Sequence, residues 1–184
     1  MKDHMDIGLP DKIELQEFPD YMHISRTWFG TQIIFMTLFA ACWNVFLFNF
    51  YAGMDEQTDV FAKLFPIIHV AVGIGVSYYA IAGWFNKSNI LVSRETIEIN
   101  HKPLPWLGNK KLKSIDLKQL YTKEKVSKNR NGTSITYEIH AILNNGTNTK
   151  LLSGLENSEQ GLYIEQEIEK YLNIKNSPVK GAIN

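Results

Sequence analysis

The side chains that could carry acid–base, nucleophilic or metal chemistry in this 184-residue chain are five histidines, one cysteine and a scatter of carboxylates. His4, His23, His69, His101 and His140 are dispersed. None has the His-x₃-His or His-Glu-x₂-His spacing that sets two ligands on one helix face. Cys42 stands alone, so a disulfide framework or thiolate zinc site is excluded; it reads as a small packing or lipid-facing residue. Ser153-Gly154 lacks the Gly-x-Ser-x-Gly elbow of a nucleophilic serine. Gly73 and Gly75 fall inside an apolar run, not at a strand-to-helix turn, so they form no phosphate loop. The expectation is a protein that is not an enzyme, with no catalytic residue, cofactor or metal.

One charged feature stands out. Acids and bases balance at 19 each, so bulk charge predicts no nucleic-acid partner. From His101 to Arg130, however, nine Lys or Arg face two acids. Lys110, Lys111, Lys113, Lys118, Lys123 and Lys125, with Trp106, are the binding candidates, for anionic lipid headgroups or an acidic protein. The plainer reading is a solvated face. Trp106, between prolines and a glycine, either dips into a membrane interface or plugs the end of a β-barrel.

Residues 28–50 and 64–86 contain no charged side chain. A bilayer core takes roughly 20 apolar residues per helix, so two transmembrane helices are expected, at about 28–50 and 61–85. Trp28, Phe29, Phe50, Tyr51, Trp84 and Phe85 sit at their ends, as an interfacial aromatic belt requires. The connecting loop is acidic (Asp55, Glu56, Asp59), whereas Arg26, Lys87 and Arg94 flank the outer ends. The positive-inside rule then puts both termini in the cytoplasm. Lys63, the contrary charge, is placed to snorkel. The opening 27 residues are net acidic and do not read as a secretory signal. Asn44 lies sixteen residues in from Trp28, and His69 sixteen back from Phe85. An antiparallel hairpin brings this intramembrane polar pair to one depth, as helix–helix glue or as a proton or ligand site. Pro66 falls in the first turns of the second helix. Gly73/Ser77, Ala71/Gly75 and Thr37/Ala41 are small-residue pairs four apart, suited to close helix approach.

Outside these runs the period is that of strands. Segments 12–16, 21–25, 89–93, 96–100, 117–126, 135–143 and 150–152 alternate or are rich in strand formers. Pro103-Leu104-Pro105-Trp106 and Gly108-Asn109 interrupt them, and Asn131-Gly132 and Asn145-Gly146 mark turns. A helix follows, with Asn157 and Ser158 as capping candidates and Ile164, Ile168, Tyr171 and Leu172 on one face. Glu165, Glu167 and Glu169 read as its solvated side. The tail from Asn173 is polar and reads as loosely ordered. Seven antiparallel strands closed by one C-terminal amphipathic helix is the pleckstrin-homology (PH) layout. The expected fold is therefore α+β: a transmembrane α-hairpin inserted in a seven-stranded PH-like β-barrel or sandwich. Residues 1–27 contribute a β-hairpin, 28–86 the membrane hairpin, 87–173 the PH-like cytoplasmic domain and 174–184 a polar tail.

Certain stretches carry a resemblance: Arg26-Thr27-Trp28-Phe29, Asn86 to Ser93, Pro103-Leu104-Pro105-Trp106, Gln119-Leu120-Tyr121, Lys150 to Leu155, and Glu165-Gln166-Glu167-Ile168-Glu169. By these the chain resembles an uncharacterised bacterial family of two-transmembrane-helix proteins with a PH-like cytoplasmic domain. Some relatives carry an N-terminal zinc ribbon; this chain lacks the cysteines for it. The layout also looks like that of photosystem I assembly factors, a likeness of architecture that transfers no function. The resemblance implies a multi-pass protein of the bacterial inner membrane. It fits a membrane-anchored scaffold, assembly factor or interaction module that binds protein or anionic lipid at the cytoplasmic face. The alternatives are an accessory subunit or regulator of a transporter or respiratory complex, and an enzyme using His69.

Overall fold

The computed structural model describes residues 7–55, 58–64, 66–129, 132–175 and 177–183. His4, Glu56, Arg130 and Asn131, singled out above, lie outside them. The chain divides into two compact units, Trp28–Asn86 and the remainder.

The first unit contains α1 (Thr31–Ala52), α2 (Val60–Leu64) and α3 (Ile67–Phe85). The expected second helix from about Phe61 is thus in two pieces. Pro66 stands at the N-cap of α3, where it has no N–H to continue a helix from α2. At 1.5 Å per residue, α1 and α3 are about 33 and 28 Å long. Both are long and apolar enough to cross a membrane. They bury only a narrow seam: Ile33, Ala40 and Leu47 on α1, and Gly73, Ala80, Ala82 and Gly83 on α3. Phe35, Phe48, Ile68 and Ile74 point outward and are each more than 60 % exposed. A soluble core helix would bury such side chains. Glycine is required on the seam. A Cβ on Gly83 would collide with Ile33, and one on Gly73 would lie 3.1–3.2 Å from Trp43, Asn44 and Leu47.

The second unit has eight strands among its described residues, where the sequence predicted seven. One antiparallel sheet takes five in chain order: β1 (Ile13–Glu17), β2 (Tyr21–Thr27), β3 (Lys87–Ser93), β4 (Thr96–Lys102) and β5 (Lys110–Lys113). The other takes β6 (Leu117–Asn129), β7 (Gly132–Leu143) and β8 (Asn148–Leu155). The sheets are open rather than closed into a barrel. The additional strand is β5. Its sequence Lys-Lys-Leu-Lys offers a single apolar residue, and only pairing with β4 reveals it.

Register follows from which residues face inward. Met22 pairs Val92, Val92 pairs Ile97, and Ile97 pairs Leu112; Ile24 pairs Ile90, which pairs Ile99. These rows bury β-branched side chains side by side, and a slip of one residue would turn all of them to solvent. Leu120, Ile139, Ala141, Leu152 and Leu155 of the second sheet complete the core. The last element, α4 (Ser158–Leu172), adds Ile164 and Ile168 to it. Asn157 caps α4, its side-chain oxygen accepting from Gln160 N–H at 2.9 Å.

Two features of α4 and the tail differ from expectation. Glu165 and Glu169 are 2 % and 1 % exposed, not solvated. Glu169 accepts the Leu120 backbone N–H at 2.9 Å, and Glu165 accepts the Thr122 hydroxyl at 2.7 Å. β6 is an edge strand whose outward donors need partners, and Glu169 supplies a carboxylate where a sheet would supply a carbonyl, while Glu165 meets a β6 side chain. The tail is likewise tied to β6: Ile183 N–H donates to Thr122 O at 2.9 Å, and Gln119 Nε2 to Ser177 O at 2.9 Å.

Gly161 lets α4 sit this close, since a Cβ there would collide with Thr122. Overpacking of this kind costs about 1–3 kcal/mol. Gly161→Val should therefore lower the apparent melting temperature of the full-length protein in detergent, followed by circular dichroism. An unchanged melt would show that α4 does not dock on β6 as described.

Candidate functional site

In the helical unit the polar residues face each other across the seam. Trp84 Nε1 donates to Thr37 Oγ1 at 2.9 Å, and Asn44 Nδ2 donates to Ser77 Oγ at 2.9 Å and to its own helix at Ala40 O, 2.6 Å. Trp43 Nε1 donates to the His69 carbonyl at 3.0 Å, and the two rings stack with centroids 5.9 Å apart. The expected pair is thus rearranged: Asn44 is directed at Ser77, and His69 lies against Trp43. The cause is helix phase. Ser77 and Gly73 share the seam with Asn44, and Gly73 leaves room for its side chain. Gly75, by contrast, has open space beside it.

The lysines of the basic stretch are exposed but belong to different sheets. Lys110, Lys111 and Lys113 are on β5, at an edge of the five-stranded sheet; Lys118, Lys123 and Lys125 are on β6 of the other. Lys111 pairs with Glu98 directly across the strands, and Lys125 lies 3.3 Å from Glu138. Lys102, Lys110, Lys113, Lys118 and Lys123 have no ion pair among the described residues. Lys118 falls on a β-bulge between Leu117 and Gln119. Trp106 is half-buried, and its neighbour Leu107 is 91 % exposed at the turn of loop 103–109.

A buried arginine organises one end of the five-stranded sheet. Ile13, Arg26, Ser88 and His101 form a cross-strand row. Arg26 is 6 % exposed, donates to Gly154 O at 2.7 Å and lies 4.0 Å from Glu156. Lys12 Nζ reaches both Glu156 oxygens at 2.7 Å, and Gln160 Nε2 donates to Asp11 O at 3.0 Å. These contacts join the start of β1 and the end of β2 to the β8–α4 connection. Burial lowers the Arg26 pKa, and Glu156 opposes the shift. Burial first, then the Arg26 charge, holds His101 below the usual histidine range. His101 Nδ1 is 3.0 Å from Ser88 Oγ.

On the outer face of the second sheet, Glu138 is surrounded by Lys125 (3.3 Å), Lys150 (3.3 Å) and His140 (3.2 Å). The His140 ring stacks on Tyr121, whose hydroxyl accepts from Asn148 at 2.6 Å. This histidine–carboxylate pair lies on the sheet face opposite the core, with Glu138 itself 8 % exposed. Two surface hollows of this unit, lined by residues such as Tyr21, Ser93 and Glu95, lie away from both residues. Among the described residues, no group of three or more His, Cys, Asp or Glu could hold a metal ion.

Sequence reasoning missed the burial of Arg26 and the Glu138 cluster. The first had a signal, because Met22, Ile24 and Arg26 alternate onto one face. The second depends on strand pairing. No known family model matches the chain, and no curated protein is similar to it in sequence.

Burial would raise the Glu138 pKa, but hydrogen bonds from His140, Lys125 and Lys150 bring it below the ordinary carboxylate value of 4.5. A depressed folded-state pKa means the unfolded chain binds the proton more readily. The contribution to stability is thus present above about 4.5 and lost as pH falls through the lower folded value. Glu138→Gln should cost about 1–3 kcal/mol near neutral pH, with the deficit shrinking as pH falls below about 4.5. Denaturation midpoints at several pH values measure this, and a pH-independent deficit would contradict it.

Proposed function

We propose that this protein is a non-enzymatic, membrane-anchored interaction module, with α1 and α3 as a transmembrane hairpin in a bacterial inner membrane. Its second unit is read as a PH-like sandwich carrying one additional short strand. The order of one sheet, a second sheet and a C-terminal helix supports that reading. Charge supports cytoplasmic termini: Arg26 and Lys87 flank the spans on the sandwich side, and Asp55 and Asp59 lie in the opposite loop.

The observation that carries the function is the exposed lysines with no ion pair among the described residues, Lys102, Lys110, Lys113, Lys118, Lys123 and Lys128 among them. Edge lysines also guard open strands against strand addition, but the β6 edge beside Lys118 and Lys123 is already occupied at Leu120 and Thr122 by Glu169 and Ile183, so that need is weaker there. Each lysine near an anionic surface adds about 1 kcal/mol of attraction. The module thus binds an acidic partner at the cytoplasmic face, either anionic lipid or protein. A second reading, an accessory subunit or regulator of a transporter or respiratory complex, is favoured by the open space at Gly75 on the outward side of α3.

Affinity capture of the tagged protein from native membranes in mild detergent, with lipids and proteins both analysed, tests this. The expected result is enrichment of an acidic protein or an anionic lipid that the Lys113→Glu/Lys118→Glu/Lys123→Glu variant loses. Enrichment unaffected by those changes but abolished by Gly75→Leu would favour the subunit reading.

A further inference from the structure

We propose that loop 103–109, between β4 and β5, is a membrane wedge. Leu107 seats in the interface of an anionic leaflet, and Lys102 and Lys110 engage lipid phosphates at its base. This rests on reading α1 and α3 as transmembrane helices.

Asn86 alone separates the last residue of α3, Phe85, from the first residue of β3, Lys87. Lys87 pairs across the sheet with Lys102, the last residue of β4. Neighbouring strands lie about 4.8 Å apart, so Lys102 shares the level at which the chain leaves the sheet for α3. β4 ends at that level, so loop 103–109 starts from it.

Leu107, at 91 %, is the most exposed large apolar side chain among the described residues, more so than the outward phenylalanines of α1. A solitary exposed leucine is ordinary on a protein surface; this one is held out by a built turn. Gly108 adopts φ +107°, and Asn109 Oδ1 accepts the His101 backbone N–H at 2.9 Å, tying the loop's end back to β4. Trp106 is half-buried beside it, the placement of an interfacial aromatic.

Lys12, Lys87 and Lys111 have carboxylate partners. Lys102 and Lys110, at the two ends of the loop, have none among the described residues, and residues 103–109 contain no acid. An apolar tip between two uncompensated cations matches an interface whose headgroups are negative and whose next layer is apolar.

The test uses the full-length protein with Cys42→Ser and Leu107→Cys, labelled with an environment-sensitive fluorophore and reconstituted in phosphatidylcholine vesicles with or without phosphatidylglycerol. A label at Ile135→Cys on β7 serves as the aqueous reference. The expected result is a blue-shifted label at 107, quenched by doxyl lipid in anionic vesicles, while iodide quenches only the reference. Lys102→Glu/Lys110→Glu should reduce the inserted population about tenfold. A label at 107 that stays iodide-accessible overturns the wedge. Shielding from both quenchers also overturns it and assigns the tip to a protein contact. Equal insertion in neutral vesicles overturns the role of the lysines. Alkaline washing separates the two layers of the reading: protein stripped from the vesicles contradicts the transmembrane hairpin, whereas retained protein with an aqueous label contradicts the wedge alone.

Discussion

The pairing of β2 with β3 is the constraint on which the rest depends. Tyr21 to Thr27 align with Ser93 to Lys87 without a break, and the whole helical unit lies between the paired residues Thr27 and Lys87. An antiparallel pair is normally closed by a few residues. Here closure costs more loop entropy, but that cost grows only logarithmically with length, and the hairpin's own packing offsets it. The seam fixes how the two helices approach: Gly83 against Ile33 and Gly73 against Trp43 and Leu47, with Thr37–Trp84 and Asn44–Ser77 hydrogen bonds along it. Between apolar helices in lipid, close packing and such bonds replace the hydrophobic effect as the source of association.

The two sheets are held together by apolar burial inside and polar closure at the margins. Each buried isoleucine of the core contributes about 1.5–3 kcal/mol. The margins work differently. Arg26 and Lys12 converge on Glu156 and Gly154, and Gln160 reaches Asp11, so the edge strand β1 is tied to the start of α4. At the other sheet, where no further strand pairs with β6 among the described residues, Glu169 accepts the Leu120 N–H and Glu165 the Thr122 hydroxyl. Both arrangements stop an open sandwich from presenting bare backbone.

What was legible in the sequence was whatever a local period could encode. The alternation of Ile135 to Leu143, the uncharged runs and the Asn157 cap all fall on matching elements of the structure. Pro66 marked the second helix but not its division, because a proline near a helix start is compatible with either outcome. β5 was not legible, since three lysines around Leu112 carry no period until β4 pairs with them. Glu165 and Glu169 looked like a solvated face because charge at helical spacing usually is one; their burial follows from an edge strand that only the tertiary structure creates. In the candidate site the lysines were visible as a composition bias. Their division between β5 and β6 was not, because sequence proximity does not say which sheet a strand joins. Leu107 had no signal of its own, as one leucine in a Pro- and Gly-containing loop reads as filler.

The central claim is that Trp28–Asn86 crosses the membrane twice and returns the chain to the side it left. Side-specific thiol labelling tests it most directly, with Thr58→Cys in the interhelical loop and Glu159→Cys on α4, each in a Cys42→Ser background. In right-side-out vesicles, an impermeant maleimide should react with position 58 and not with 159, and inverted vesicles should reverse the pattern. Labelling of both positions from the same side would contradict the transmembrane hairpin.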